Sequence, residues 1–142
     1  MMFEKHLRAG VSTAIIPATL AYYYIDIKLA LASFIASVLF SLYPDLDTGS
    51  VSRRGISIFL SAVTVTLYQY GYSESAIGIL ALLIVPNFFK HRGFTHTILG
   101  MIVFVGVFYI SAGYCIGFEG LWPLGIAGVI GYLTHLILDW RY

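Results

Sequence analysis

Four histidines and three of the four aspartates are the residues in this 142-residue chain with the means to do chemistry. They come in short groups. His6 stands alone near the start, and Asp45 and Asp47 share Pro44-Asp45-Leu46-Asp47. His91 and His96 lie in Lys90-His91-Arg92-Gly93-Phe94-Thr95-His96-Thr97, and His135 and Asp139 close the chain. Imidazole and carboxylate together form the donor set of a divalent transition metal, zinc first, with manganese or iron as alternatives. Such an ion lowers the pKa of a bound water and supplies hydroxide near neutral pH. Seven donors exceed what one ion needs, so the set has room for two.

The spacings give these residues roles. His135 and Asp139 are four apart, so on a helix they share a face with Cβ atoms about 5–6 Å apart. Either both hold the metal, or the carboxylate orients the imidazole. Asp45 and Asp47 are two apart and point the same way in an extended segment; they serve as further ligands or as a general base. His91 and His96 would diverge on a continuous helix. Gly93 allows a turn between them, and Thr95 is the expected N-cap of the next helix. His91, His96, His135 and Asp139 are thus the expected ligands, with His6 as an outlying member. Arg53, Arg54 and Arg92 either fix topology or bind a substrate phosphate. The plainer alternative for every one of these positions is a solvated residue at a membrane surface.

The elements that must position these groups follow from composition. Hydrophobic residues make up 59% of the chain and charged residues 11%, against roughly 25% charged in a soluble domain. Mean hydropathy is +0.87. Too few polar side chains remain to clothe a soluble particle, so the lipid bilayer is the first expected partner. A net charge of +1 excludes a nucleic-acid binder that works through a broad basic surface. The single cysteine, Cys115, leaves no disulfide partner and reads as a small buried apolar residue.

Charge marks off six apolar segments at roughly 9–25, 29–43, 55–70, 76–89, 97–117 and 121–138. The first resembles a signal peptide, but it ends in Ala21-Tyr22-Tyr23-Tyr24, a poor cleavage site, and reads as a retained span. Pro44 should end the second segment by turning Tyr43 out of the helical region. Pro17 and Pro86 fall inside spans, where neighbours satisfy the freed carbonyls. The expected architecture is an all-α, polytopic transmembrane bundle of six short spans forming a single domain over 1–142. Four spans with re-entrant pieces is the rival count. With six spans, seven of the eight basic residues fall on one side, so both termini are expected in the cytoplasm. All four histidines and four of the seven acidic residues then fall at that same cytoplasmic face.

Several of these groups together resemble the membrane-bound metal-dependent hydrolases of the YdjM type. The resemblance runs over nearly the whole chain. It rests on His6, on Pro44-Asp45-Leu46-Asp47, on His91-Arg92-Gly93-Phe94-Thr95-His96, and on Gly131-Tyr132-Leu133-Thr134-His135-Leu136-Ile137-Leu138-Asp139. It implies a multi-pass protein of the inner (plasma) membrane with a hydrolase activity. The substrate is an unknown small molecule or lipid, with a phosphoester or lipid headgroup as the class that fits a metal site at the cytoplasmic leaflet. Two other functions use the same residues. An ion or proton transporter would place them near the bilayer midplane, whereas here the middles of the spans carry no ionisable group. A non-catalytic scaffold would need more loop surface than these short connections offer. The lipid phosphatases of the vanadate type need Ser-Arg upstream of the closing histidine, and this chain has Gly128-Val129 there.

Overall fold

All six expected segments are α-helical in the computed structural model, and no strand occurs among the described residues. The structure describes residues 2–47, 51–90 and 92–140, the side chains of Met2, Asp47, Val51 and Ser52 excepted. The helices are α1 (Met2–Tyr24), α2 (Ile27–Leu42), α3 (Val51–Gln69), α4 (Ser73–Ile84), α5 (Ile98–Ile116) and α6 (Trp122–Trp140), with 3-10 turns at Tyr43–Asp47, Val85–Phe88 and Phe94–His96. Three segments are both long and apolar enough to cross a membrane: Ile27–Leu46, Ile98–Ile116 and Trp122–Trp140. α1 and α3 have the length, with 23 and 19 residues, but carry charges in their first turns. α4 has only 12 residues and gains a turn from Val85–Phe88.

The helices group into two compact units, Met1–Pro44 with Gly120–Tyr142, and Asp45–Glu119. In the first unit α1 and α2 form a hairpin across Ile25-Asp26, and α6 packs on both. Asp26 is more than a loop charge: its Oδ1 accepts from the Leu29 N–H at 2.7 Å and caps α2. Lipid offers no hydrophobic drive for helices to associate, so close backbone approach must hold them. The buried face of α1 is a row of small or compact groups, His6, Gly10, Ala14, Pro17 and Ala21, at helical spacing. A Cβ on Gly10 would run into the Ser41 hydroxyl of α2, and one on Gly131 of α6 would run into the Ser37 carbonyl. On α2, Ser33, Ser37 and Ser41 form a buried row at four-residue spacing, and the hydroxyls of Ser33 and Ser37 have no hydrogen-bond partner among the described residues.

The second unit is built the same way. Ser75 of α4 donates its hydroxyl to the Ser111 carbonyl of α5 at 2.7 Å, and a Cβ on Gly78 would meet the Ser111 hydroxyl. Two expectations change here. Pro86 does not lie within α4; the helix stops at Ile84 and the proline opens a 3-10 turn, as its missing N–H favours. The N-cap of α5 is Thr97, not Thr95: Thr97 Oγ1 accepts from the Gly100 N–H at 2.9 Å, while Thr95 is fully buried in the preceding turn. Thr97→Ala is therefore expected to cost about 1 kcal/mol, read as a lower melting temperature that Thr97→Ser restores. Cys115 is half-buried rather than fully enclosed, and no disulfide occurs among the described residues.

Candidate metal centre

At one end of the first unit the start of α1 and the ends of α2 and α6 come together. Ser41 belongs to the last turn of α2, where carbonyls lack partners within their own helix. His135 of α6 supplies one. Its Nδ1 lies 2.9 Å from the Ser41 oxygen, and because a carbonyl only accepts, Nδ1 carries the proton and donates. The ring is 0% exposed. Nε2 is thereby directed at the Asp139 carboxylate one helical turn on, 3.3 Å from Oδ2. On the other side, His6 of α1 is 3% exposed and stacks on His135 with ring centroids 4.2 Å apart. Its Nε2 lies 3.2 Å from Asp139 Oδ1.

This trio alters the standing of His6. Charge alone had placed it in a flank outside the first span, but α1 begins at Met2 and His6 is a buried residue on its packing face. The sequence did hold a signal: His6 falls four residues before Gly10 and eight before Ala14, in register with the buried face of α1. The Ser41 carbonyl, which fixes the His135 ring, had no signal in any motif.

The second unit holds a separate pair. His96 Nε2 lies 3.9 Å from Asp45 Oδ1, and Thr95 Oγ1 sits 3.1 Å from His96 Nδ1. Asp45 occupies the 3-10 turn Tyr43–Asp47, so the segment is not extended and the alternation that put Asp45 and Asp47 on one side does not apply. Pro44 also fails to turn Tyr43 out of the helical region (φ −61°, ψ −41°). Tyr43 is instead held in a buried aromatic cluster with Phe40 and Tyr132, at centroid distances of 5.4 and 6.2 Å. The side chain of Asp47 and all of His91 lie outside the described residues.

Around His96 the chain turns sharply. The left-handed residue is Arg92 (φ 58°), not Gly93, whose lack of a side chain answers a different need. The Gly93 N–H donates to the Lys90 carbonyl at 2.8 Å, and a Cβ there would lie 2.6 Å from that oxygen. Arg53, Arg54 and Arg92 are all exposed. Arg53 donates to Asn87 Oδ1 at 2.8 Å, and the Asn87 amide in turn donates to the Leu83 carbonyl at 2.8 Å, so Asn87 joins the start of α3 to the end of α4. Asn87 was not foreseen; only its place beside Pro86 hinted at a turn.

The donors fit a metal ion chemically. In the first unit His135 and Asp139, and in the second Asp45 and His96, each offer a ligand atom of the kind such an ion takes. Bonds of about 2.0–2.2 Å keep two ligands of one ion within about 4.4 Å, and the separations of 3.2 and 3.3 Å inside the trio and 3.9 Å inside the pair meet that limit. A neutral His135 with its proton on Nδ1 would set a lone pair against a carboxylate oxygen. A cation between them removes that repulsion, as would protonation of the ring. The Nδ1–H to carbonyl bond is the partner that metal-binding imidazoles most often have on their far side.

The depth of the trio follows from α6 itself. Trp122 and Trp140 stand at its two ends, about 27 Å apart at 1.5 Å per residue, close to the roughly 30 Å of a bilayer core. Trp140 is 93% exposed, and Trp122 makes an edge contact with Tyr24, the last of the exposed run Tyr22-Tyr23-Tyr24. Such aromatic residues sit at headgroup level. Asp139 is one residue inside Trp140.

A family model described as YdjM inner membrane protein matches residues 1–142. No curated protein and no solved structure matches the chain.

Proposed function

The chain belongs to the YdjM inner membrane protein family, and we propose that within it this protein is a metal-dependent hydrolase working at the cytoplasmic surface of that membrane. The observation that carries the reading is His135: buried, fixed through Nδ1 by the Ser41 carbonyl, and presenting Nε2 to Asp139. An imidazole tied down in this way costs ordering in advance and gives a ligand of fixed direction.

In this reading His135 and Asp139 bind the metal, with His6 beside them; His96 and Asp45 are a second set of donors of the same kind, and His91 is a further candidate ligand. Asp47, or Asp45 where it is not a ligand, takes the proton of the attacking water. The metal would be zinc, manganese or iron; when bound it supplies a water acidic enough to attack near neutral pH. The chain's own contribution is to hold the donors and to set the site at headgroup depth, beside Trp140. Arg53, Arg54 and Arg92 would receive the negative charge of a phosphoester or lipid-headgroup substrate. The positive-inside bias of the basic residues supports the cytoplasmic orientation.

The test is metal content followed by activity. Protein extracted gently into metal-replete detergent buffer should carry bound zinc, manganese or iron. It should hydrolyse phosphoester or headgroup substrates, and a chelator should stop that hydrolysis until metal is returned. His96→Ala and Asp45→Asn should lower metal retention without unfolding the protein. Protein that emerges metal-free and takes up none of the three ions would sink the reading.

A further inference from the structure

The stacking of His6 on His135 bears on how many ions the site takes. An imidazole binds a metal through a lone pair lying in the plane of its ring. The two rings are nearly parallel, 16° between planes and 4.2 Å between centroids. Planes so arranged meet far beyond the 2.0–2.1 Å of a metal–nitrogen bond. One ion cannot lie in both.

The carboxylate repeats the same duality. His6 Nε2 faces Asp139 Oδ1 at 3.2 Å, and His135 Nε2 faces Oδ2 at 3.3 Å, so each ring has its own oxygen. We propose that Asp139 bridges two metal ions, one bound with His135 and the other with His6. This rests on the metal-site reading above and deepens it. Two-metal hydrolytic sites hold their ions about 3.5–4 Å apart, a spacing close to that of the stacked rings. The competing account is a protonated imidazole on one or both sides of Asp139. Two stacked imidazolium rings would repel one another, whereas two ions sharing a carboxylate are held by it.

The two ions are unequal. The one bound with His135 draws on a ring locked by the Ser41 carbonyl. The one bound with His6 has His6 and the far oxygen of Asp139, and water for the rest. It fills second and leaves first.

Manganese tests this directly, because a pair of Mn²⁺ ions bridged by a carboxylate is magnetically coupled and a lone ion is not. The full chain in detergent or nanodiscs is titrated with Mn²⁺ and followed by metal analysis and electron paramagnetic resonance. The expected result is two ions per chain, the second weaker, with a coupled spectrum at saturation. His6→Gln, whose amide still reaches toward Asp139, should bind one ion and give the spectrum of isolated Mn²⁺. The wild-type spectrum decides even if that variant folds poorly. Two uncoupled ions, or a single ion whose affinity is the same in His6→Gln, would overturn the bridge and leave the metal-dependent hydrolase reading standing. Binding of no Mn²⁺ and no Zn²⁺ would remove the metal site altogether.

Discussion

Replacing His135 with alanine is expected to abolish metal retention and to destabilise the first unit at the same time. The ring is fully buried, stacks on His6 and holds the Ser41 carbonyl. Truncation opens a cavity and strands a buried acceptor, which together cost about 3 kcal/mol. Loss of a partner behind a metal ligand already weakens binding by about 10–100-fold, and loss of the ligand itself should exceed that. The two effects separate in His135→Asn, whose amide nitrogen takes the place of Nδ1 and still donates to the Ser41 carbonyl while the Nε2 lone pair is gone. Its melting temperature should stay near wild type while its metal is lost. Metal analysis beside thermal unfolding measures both; a His135→Asn protein that keeps full metal would refute the assignment of His135 as a ligand.

The second large effect falls on a residue with no side chain. Gly131 lies on the α6 face that meets α2, and a Cβ there would overlap the Ser37 carbonyl, a backbone atom with no rotamer to escape by. Gly131→Ala must push α6 off α2. Overpacking of this kind costs about 1–3 kcal/mol and more where backbone has to move. Because His135 is one turn further along α6, the shift would also pull its Nδ1 from Ser41. The expected result is a melting temperature lower by roughly 5–10 °C, with metal retention reduced. Gly106 and Gly55 are the controls: no atom lies within 4 Å of a Cβ at either, so alanine there should be neutral or gain up to about 1 kcal/mol in helix propensity. If Gly131→Ala behaves like Gly106→Ala, the close packing of α2 and α6 is wrong.

Much of the helical frame was legible because charge, proline and glycine mark ends that physics also marks. The expected segments differ from the observed helices by a few residues at most borders. The largest miss was the start of α1, where Glu4, Lys5 and Arg8 made the first turn look like an external flank. That reading hid His6, since a ligand on a helix is found by its face and not by its distance from a charge. The turn at Asp45 was missed because a two-residue spacing says nothing about direction until the backbone is known, and Pro44 tolerates the 3-10 turn that sets it. Thr95 and Thr97 stand two apart in one polar stretch, both able to cap; only burial of the first separates them. The His135–Asp139 pairing was readable because four residues is one helical turn. Its third member was not, because stacking on His6 links residues 129 positions apart in sequence.

That separation bears on how the protein is made. The first unit is built from two segments separated in sequence, and the second is the continuous stretch between them. As the ribosome delivers the chain, residues 45–119 can complete their own packing before α6 exists. α1 and α2 meanwhile wait as a hairpin whose α6-facing side, at Ser37, is uncovered. Release from that state comes with α6, which covers α2 at Ser37 and delivers His135 and Asp139 together. Assembly of the first unit and readiness to capture metal therefore become a single late event in biogenesis.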